Sequence, residues 1–261
     1  MFNMMKGCFK MLLLPAILLL STCCIKPEGE TGSILVKHID VVTTEGTQKL
    51  TSSKIDIKYT SDKRISSYEE HFVRYYEEGH TSEQTFYCKF DYSDNQCQVL
   101  RTIDGAAQEA ETYYFNQDNT LSRIESNDGT VSTFSYQNGF LSEWNDRLLT
   151  WEDGSIVSVT KGSGNEYVFS YSDIDNPFKD TVDWTIDVGT ILPGDPFGYG
   201  FAGKRNSKLL NTVSGRNGTT YPEYHWSYTI EKSTGRVLGY ERDVIIDGET
   251  SLSTQKVEFR Y

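Results

Sequence analysis

Past residue 34, apolar and polar residues alternate with a period of two, broken by turn residues every few positions. No stretch sustains a 3.6-residue apolar period for three turns. Ile55, Ile57 and Tyr59 alternate with polar neighbours, as do Phe86, Cys88 and Phe90, the stretches 131–136 and 168–171, and Val257, Phe259 and Tyr261. Each segment can turn one face to a core and the other to water, so the chain is expected to be all-β.

The strands recur as a unit: an aromatic, an acidic or glycine turn, an apolar residue five or six positions on, and another three later. Four copies are clean: Tyr59 with Ile65 and Tyr68, Phe115 with Leu121 and Ile124, Tyr136 with Leu141 and Trp144, and Trp151 with Ile156 and Val159. Their turns read SDKR, NQDN, QNG and EDG. Tyr92 with Leu100 and Ile103 makes a looser copy, and Tyr228 with Val237 and Tyr240 a looser one still. Physically the unit is a hairpin, in which the aromatic ends one strand and Asp, Asn or Gly supplies the positive φ of the turn. One hairpin cannot bury its own face. Units must therefore pair side by side as an antiparallel meander of repeated hairpins, forming a curved sheet or barrel-like domain over residues 34–261.

The N-terminus carries an address. Lys6 and Lys10 flank an apolar run, Met11–Leu20, that is too short for a bilayer core of about 30 Å. The sequence Leu20-Ser21-Thr22-Cys23 resembles the bacterial lipobox, which implies a signal peptide over 1–22 and acylation of Cys23, with Cys24 as a neighbouring competitor. Residues 23–33 offer nothing to bury and read as a flexible tether. The expectation is an outer-membrane lipoprotein, periplasmic or surface-facing, touching the membrane through its lipid alone.

Two resemblances add to this reading. Tyr59, Asp62, Arg64 and Ile65 come closest to the YD-repeat (Rhs-like) pattern, a likeness that extends over about residues 55–171. The lipobox, the aromatic and Asn-Gly units, and the segment Gly203-Lys204-Arg205-Asn206-Ser207-Lys208-Leu209 resemble a family of gut-bacterial exported lipoproteins of unknown function. That resemblance implies a porin-like fold and brings no catalytic residues. A transmembrane barrel is the rival, since the chain ends on an aromatic strand. Yet lipid-facing strands need about nine to eleven residues with one uniformly apolar face, and these strands carry Ser, Thr, Lys and Glu within a few positions.

The charge is −12 for the full chain, and removing residues 1–22 takes away two lysines and no acid. Nucleic acid is thus a poor partner. His38, His71, His80 and His225 lack metal-ligand spacing, and no Gly-x-Ser-x-Gly elbow occurs. Gly198, Gly200 and Gly203 match a dinucleotide fingerprint in spacing, but prolines precede them where a buried strand belongs. They read instead as a glycine loop that lets Phe197, Tyr199 and Phe201 fold over an open end of the sheet. Asp173, Asp175, Asn176 and Asp180 cluster like calcium ligands, although Pro177 interrupts the spacing. No cofactor and no metal is expected. Cys88 and Cys97 face each other if their turn centres on Tyr92 and Ser93; centred on Asp94 and Asn95, it sets Cys97 against Tyr92.

Lys204, Arg205 and Lys208 form a basic cluster in an acidic chain. With Trp184 and Tyr199 they are the candidate contacts for an anionic sugar or an envelope protein, or else they pair with nearby aspartates and pin their loop. Two functional classes follow: a non-catalytic binding or structural module, and a surface-polysaccharide hydrolase or lyase using two carboxylates about 5 to 10 Å apart in a cleft. The missing catalytic clusters favour the first.

Overall fold

The computed structural model describes residues 35–261 apart from Glu78, Ser163, 179–200, 217–221 and 247–252. The described residues form sixteen strands and no helix. The first eight are β1 (His38–Glu45), β2 (Gln48–Tyr59), β3 (Ile65–Tyr75), β4 (Thr81–Ser93), β5 (Gln96–Ile103), β6 (Ala106–Phe115), β7 (Leu121–Ser126) and β8 (Val131–Gln137). They continue as β9 (Phe140–Trp144), β10 (Arg147–Glu152), β11 (Ser155–Lys161), β12 (Glu166–Asp175), β13 (Lys208–Arg216), β14 (Glu223–Ile230), β15 (Val237–Ile245) and β16 (Ser253–Arg260). Every strand pairs antiparallel with its sequence neighbours. β1 pairs with β16, from His38 opposite Arg260 to Thr44 opposite Thr254, and closes the meander into a barrel. Closure leaves no sheet edge to template aggregation.

Alternation assigns the two faces. Along β16, Val257 and Phe259 are buried while Lys256, Glu258 and Arg260 are exposed; along β4, Cys88 and Phe90 are buried while Lys89 and Asp91 are exposed. Inside stand Ile57, Ile65, Val99, Tyr113, Leu121, Trp144, Val213 and Trp226, in one continuous core. The outer wall carries charge instead. Lys256 pairs with Glu258 at 2.9 Å, Lys89 with Asp91 at 2.7 Å, and Arg260 with Asp40. Exposed pairs of this kind add little stability, but they mark the outer surface as wetted.

The two rims differ. At the rim where β2 turns into β3, the inward face is apolar: each even strand carries an aromatic at or near its end, and each odd strand a buried aliphatic residue or cysteine at or near its start. This is the aromatic rim. Toward the other rim the same inward face becomes polar. There the Arg101 guanidinium binds Glu111 at 2.5 Å and donates to the Tyr113 hydroxyl at 3.2 Å.

The expected units are present, and there are eight of them. The Tyr92 unit uses Cys97 and Val99 as its inward pair, whereas Leu100 points out and is 42% exposed. A seventh unit joins Tyr171 to Leu210 and Val213 across the long β12–β13 connection, and the eighth is split between the chain ends, Tyr261 with Val36 and Ile39. The β4–β5 turn centres on Asp94 and Asn95, so Cys97 opposes Tyr92 and Cys88 opposes Arg101. Four residues of strand, about 13 Å, separate the cysteines along the ladder. Both are free, and burial pushes the thiols up, Cys88 to about 11 and Cys97 to about 12.

Candidate functional site

At the aromatic rim the unit's aromatic does more than fill space. Tyr59 donates its hydroxyl to the Val36 carbonyl at 2.6 Å, Tyr92 to Ile65 at 2.8 Å, Tyr171 to Ile156 at 2.7 Å and Tyr228 to Leu210 at 2.8 Å. Tyr261 donates to the Val237 carbonyl, and the Trp151 indole N–H to Leu141 at 2.7 Å. Each latch joins an even strand to the odd strand before it, at the end farthest from their shared turn. In three of the six the backbone pairing is short: β9 and β10 share two residue pairs, β13 and β14 two, β11 and β12 three. Where the strands part, a side-chain donor takes over the work of the ladder and satisfies a carbonyl left without one.

A strap formed by residues 201–207 crosses this rim. The Phe201 ring packs edge-on against Tyr92, Tyr113 and Phe115, with centroids 6.3, 5.9 and 5.1 Å away. Its carbonyl accepts from the Leu121 amide at 2.9 Å and from the Tyr136 hydroxyl at 3.5 Å. The Lys204 amide donates to the Gly139 carbonyl at 2.9 Å, the Ser207 amide to Gly154 at 3.0 Å, and the Asn206 side chain accepts from the Ile156 amide at 2.9 Å. Gly203 makes the passage possible. Its φ is +79°, and a Cβ there would stand 2.6 Å from the Gly139 carbonyl oxygen.

Of the basic cluster, Lys208 binds the Asp175 carboxylate at 2.6 Å and the Asp173 carbonyl at 3.1 Å, and Arg205 donates to the Phe178 carbonyl at 3.3 Å. Lys204 stands 4.7 Å over the Phe140 ring. Lys204 and Arg205 thus lie on the strap and Lys208 opens β13, each with a different partner, while Trp184, Tyr199, Cys23 and the aspartates 180, 183, 187 and 195 lie outside the described residues. In the calcium-like cluster, Asp175 is committed to Lys208, and Asn176 bonds the Asn206 carbonyl and the Phe178 amide.

The parting of β9 from β10 leaves a depression of about 480 Å³. Phe140 and Trp151, with centroids 4.8 Å apart, and the buried Leu149 supply its apolar lining. Gln137, Asn138, Thr150 and Asp153 supply polar groups around it. Sequence reading passed over this place. Phe140 follows the QNG turn and Asp153 belongs to the EDG turn, so both looked like turn chemistry; the short β9–β10 ladder that separates the two hairpins has no local signature.

The fold has a solved counterpart. A porin-like protein from Bacteroides uniformis is 14% identical, covers 86% of this chain and 97% of its own, and superposes with a TM-score of 0.60. This likeness carries the fold, which is porin-like. A porin-like protein from Bacteroides vulgatus also matches, at 10% identity over 87% of this chain and 98% of its own, with a TM-score of 0.30. No family model and no curated protein matches the chain.

Proposed function

We propose that this chain is a lipid-anchored protein of the bacterial cell envelope whose barrel is a non-catalytic binding or structural module, facing a glycan or an envelope protein. One observation carries the reading: the polarity of the wall is the reverse of a pore's. A lipid-facing wall would immerse the outward Lys54, Lys89, Arg123, Lys256 and Arg260, and each cation near the bilayer midplane costs about 2–4 kcal/mol. Inside, the aromatic rim is packed with rings and crossed by the strap, where a channel needs water. Attachment to a membrane then falls to Cys23, whose acyl chains contribute about 0.8 kcal/mol per buried methylene. Among the described residues that line the depression, Asp153 is the one carboxylate, which supports binding over hydrolysis by a carboxylate pair.

The anchor is tested by growing cells on radiolabelled palmitate. Cys23→Ala is expected to abolish incorporation and to release the protein from the membrane fraction. Undiminished label in that variant overturns the assignment.

A further inference from the structure

We infer that the depression between β9 and β10 is a saccharide site, taking one or two pyranose units of a glycan. This deepens the reading of the barrel as a binding module and does not depend on the anchor. Four observations converge on it. The first is size, since about 480 Å³ lies within the range of about 300–1,000 Å³ typical of small-molecule pockets. The second is the pairing of apolar ring surface from Phe140 and Trp151 with polar groups, which matches a pyranose, whose C–H faces pack on rings while its hydroxyls need donors and acceptors at the edge.

The third is that the polar groups are uncommitted. Gln137, Asn138, Thr150 and Asp153 make no side-chain hydrogen bond to a described residue, whereas Asp62, Asp118 and Asp128 at comparable turns each hold a neighbouring threonine. Amide, hydroxyl and carboxylate together offer both donors and acceptors, as a ring of hydroxyls requires. Lys204 adds a cation at the border, 4.7 Å over the Phe140 ring, with no carboxylate partner among the described residues.

The fourth is that the site is held rigid. The strap ties the tip of one hairpin at Gly139 to the tip of the next at Gly154, and the Trp151 indole N–H is locked on the Leu141 carbonyl. Two hairpins whose ladder has parted are thereby fixed at a constant width, so a ligand need not pay to order them.

The test uses the full-length protein extracted in detergent, titrated with hexasaccharides of α-1,4-glucan, β-1,4-xylan, β-1,4-mannan and α-1,4-galacturonan, followed by tryptophan emission and heat of binding. At least one is expected to bind with Kd below about 1 mM. Thr150→Arg, which sets a long side chain across the opening from an exposed strand position, and Asp153→Asn, which keeps a residue tolerant of φ +48°, are each expected to weaken binding about tenfold or more while the melting midpoint stays unchanged. Failure of all four sugars to bind overturns the saccharide assignment and leaves the anchor to the palmitate experiment. Binding that both variants leave intact overturns the site.

Discussion

The two rims of this barrel reach order by different means. At the rim carrying Gly46, Gly105, Gly129 and Asn145, turns with positive φ at these residues close their hairpins, and a Cβ added at any of those glycines meets nothing within 4 Å. At the aromatic rim the turns are matched by β-bulges beside Tyr59, Phe115, Tyr136, Trp151 and Tyr171, by a side-chain latch on six of the eight units, and by a strap threaded between backbones. The lesson is that a repeating hairpin closes its near end by turn chemistry and its far end by its aromatic. The interior is dry where the aromatics stand and polar where they do not.

This contrast can be broken by mutation, and the largest effect is expected at the aromatic rim. Tyr136→Ala removes a ring against which Gly203 and Phe201 are placed and should cost about 3–5 kcal/mol by chemical denaturation. The outward Tyr114→Ala should stay within about 0.5 kcal/mol, as surface changes do. Equal losses would mean that the two faces of the wall are packed alike.

The glycines sharpen the comparison. Gly203→Ala forces a methyl against a carbonyl oxygen in a left-handed conformation and should cost about 2–3 kcal/mol, whereas Gly105→Ala, equally left-handed but unobstructed, should cost about 1 kcal/mol. Thermal melts of both variants read the difference. Matching shifts would remove the strap from the account.

Alkaline pH should separate the rims next. Burial raises the hydroxyls of Tyr92 and Tyr136 well above the usual tyrosine range and that of Tyr261 to about 12. A folded-state value above the unfolded one of about 10 means that the contribution is complete below pH 10 and is lost as pH rises through 12. The fold should therefore loosen in that window, and Tyr261→Phe should flatten the loss. Tyr75 and Tyr76, near the other rim, are lowered by hydrogen bonds, Tyr75 with Lys49 and Ser52 and Tyr76 with Ser82, so absorbance at 295 nm should begin to change before any unfolding.

The smallest effect is a single latch. Tyr92→Phe deletes the hydroxyl bond to Ile65 and should cost about 1 kcal/mol, while Tyr87→Phe on the outer face should cost nothing measurable. Cys88 and Cys97 supply the control. Buried with raised thiol values, they should resist a water-soluble disulfide reagent until the protein is denatured.

Much of this was legible in the residues, because period-two alternation and Asn-Gly or Asp-Gly turns are local signals. The units of Tyr59, Phe115, Tyr136 and Trp151 read correctly since their turns are five residues or shorter. The unit of Tyr92 was misjudged because Cys97, an apolar residue in this setting, did not look like the opening aliphatic, and Leu100 did. Tyr171 and Tyr261 went unpaired because their partners lie 39 residues away and at the other end of the chain, distances that no local pattern spans. The depression escaped for a related reason: it is made by the absence of a ladder between β9 and β10, and strand separation is a property of the closed barrel rather than of either hairpin. Phe201 was correctly taken to fold over an end of the sheet, but the backbone bonds of the strap to Leu121, Gly139 and Gly154 depend on three turns brought side by side.

The central claim is that this porin-like wall is turned inside out, apolar within around its aromatic rim and charged on its outer face. Flotation of residues 33–261 with liposomes, after purification in the absence of detergent, tests it most directly. The account predicts a monodisperse protein that stays in the dense fraction and keeps its near-ultraviolet circular dichroism. A protein that requires detergent, rises with the vesicles and conducts ions across them would contradict it.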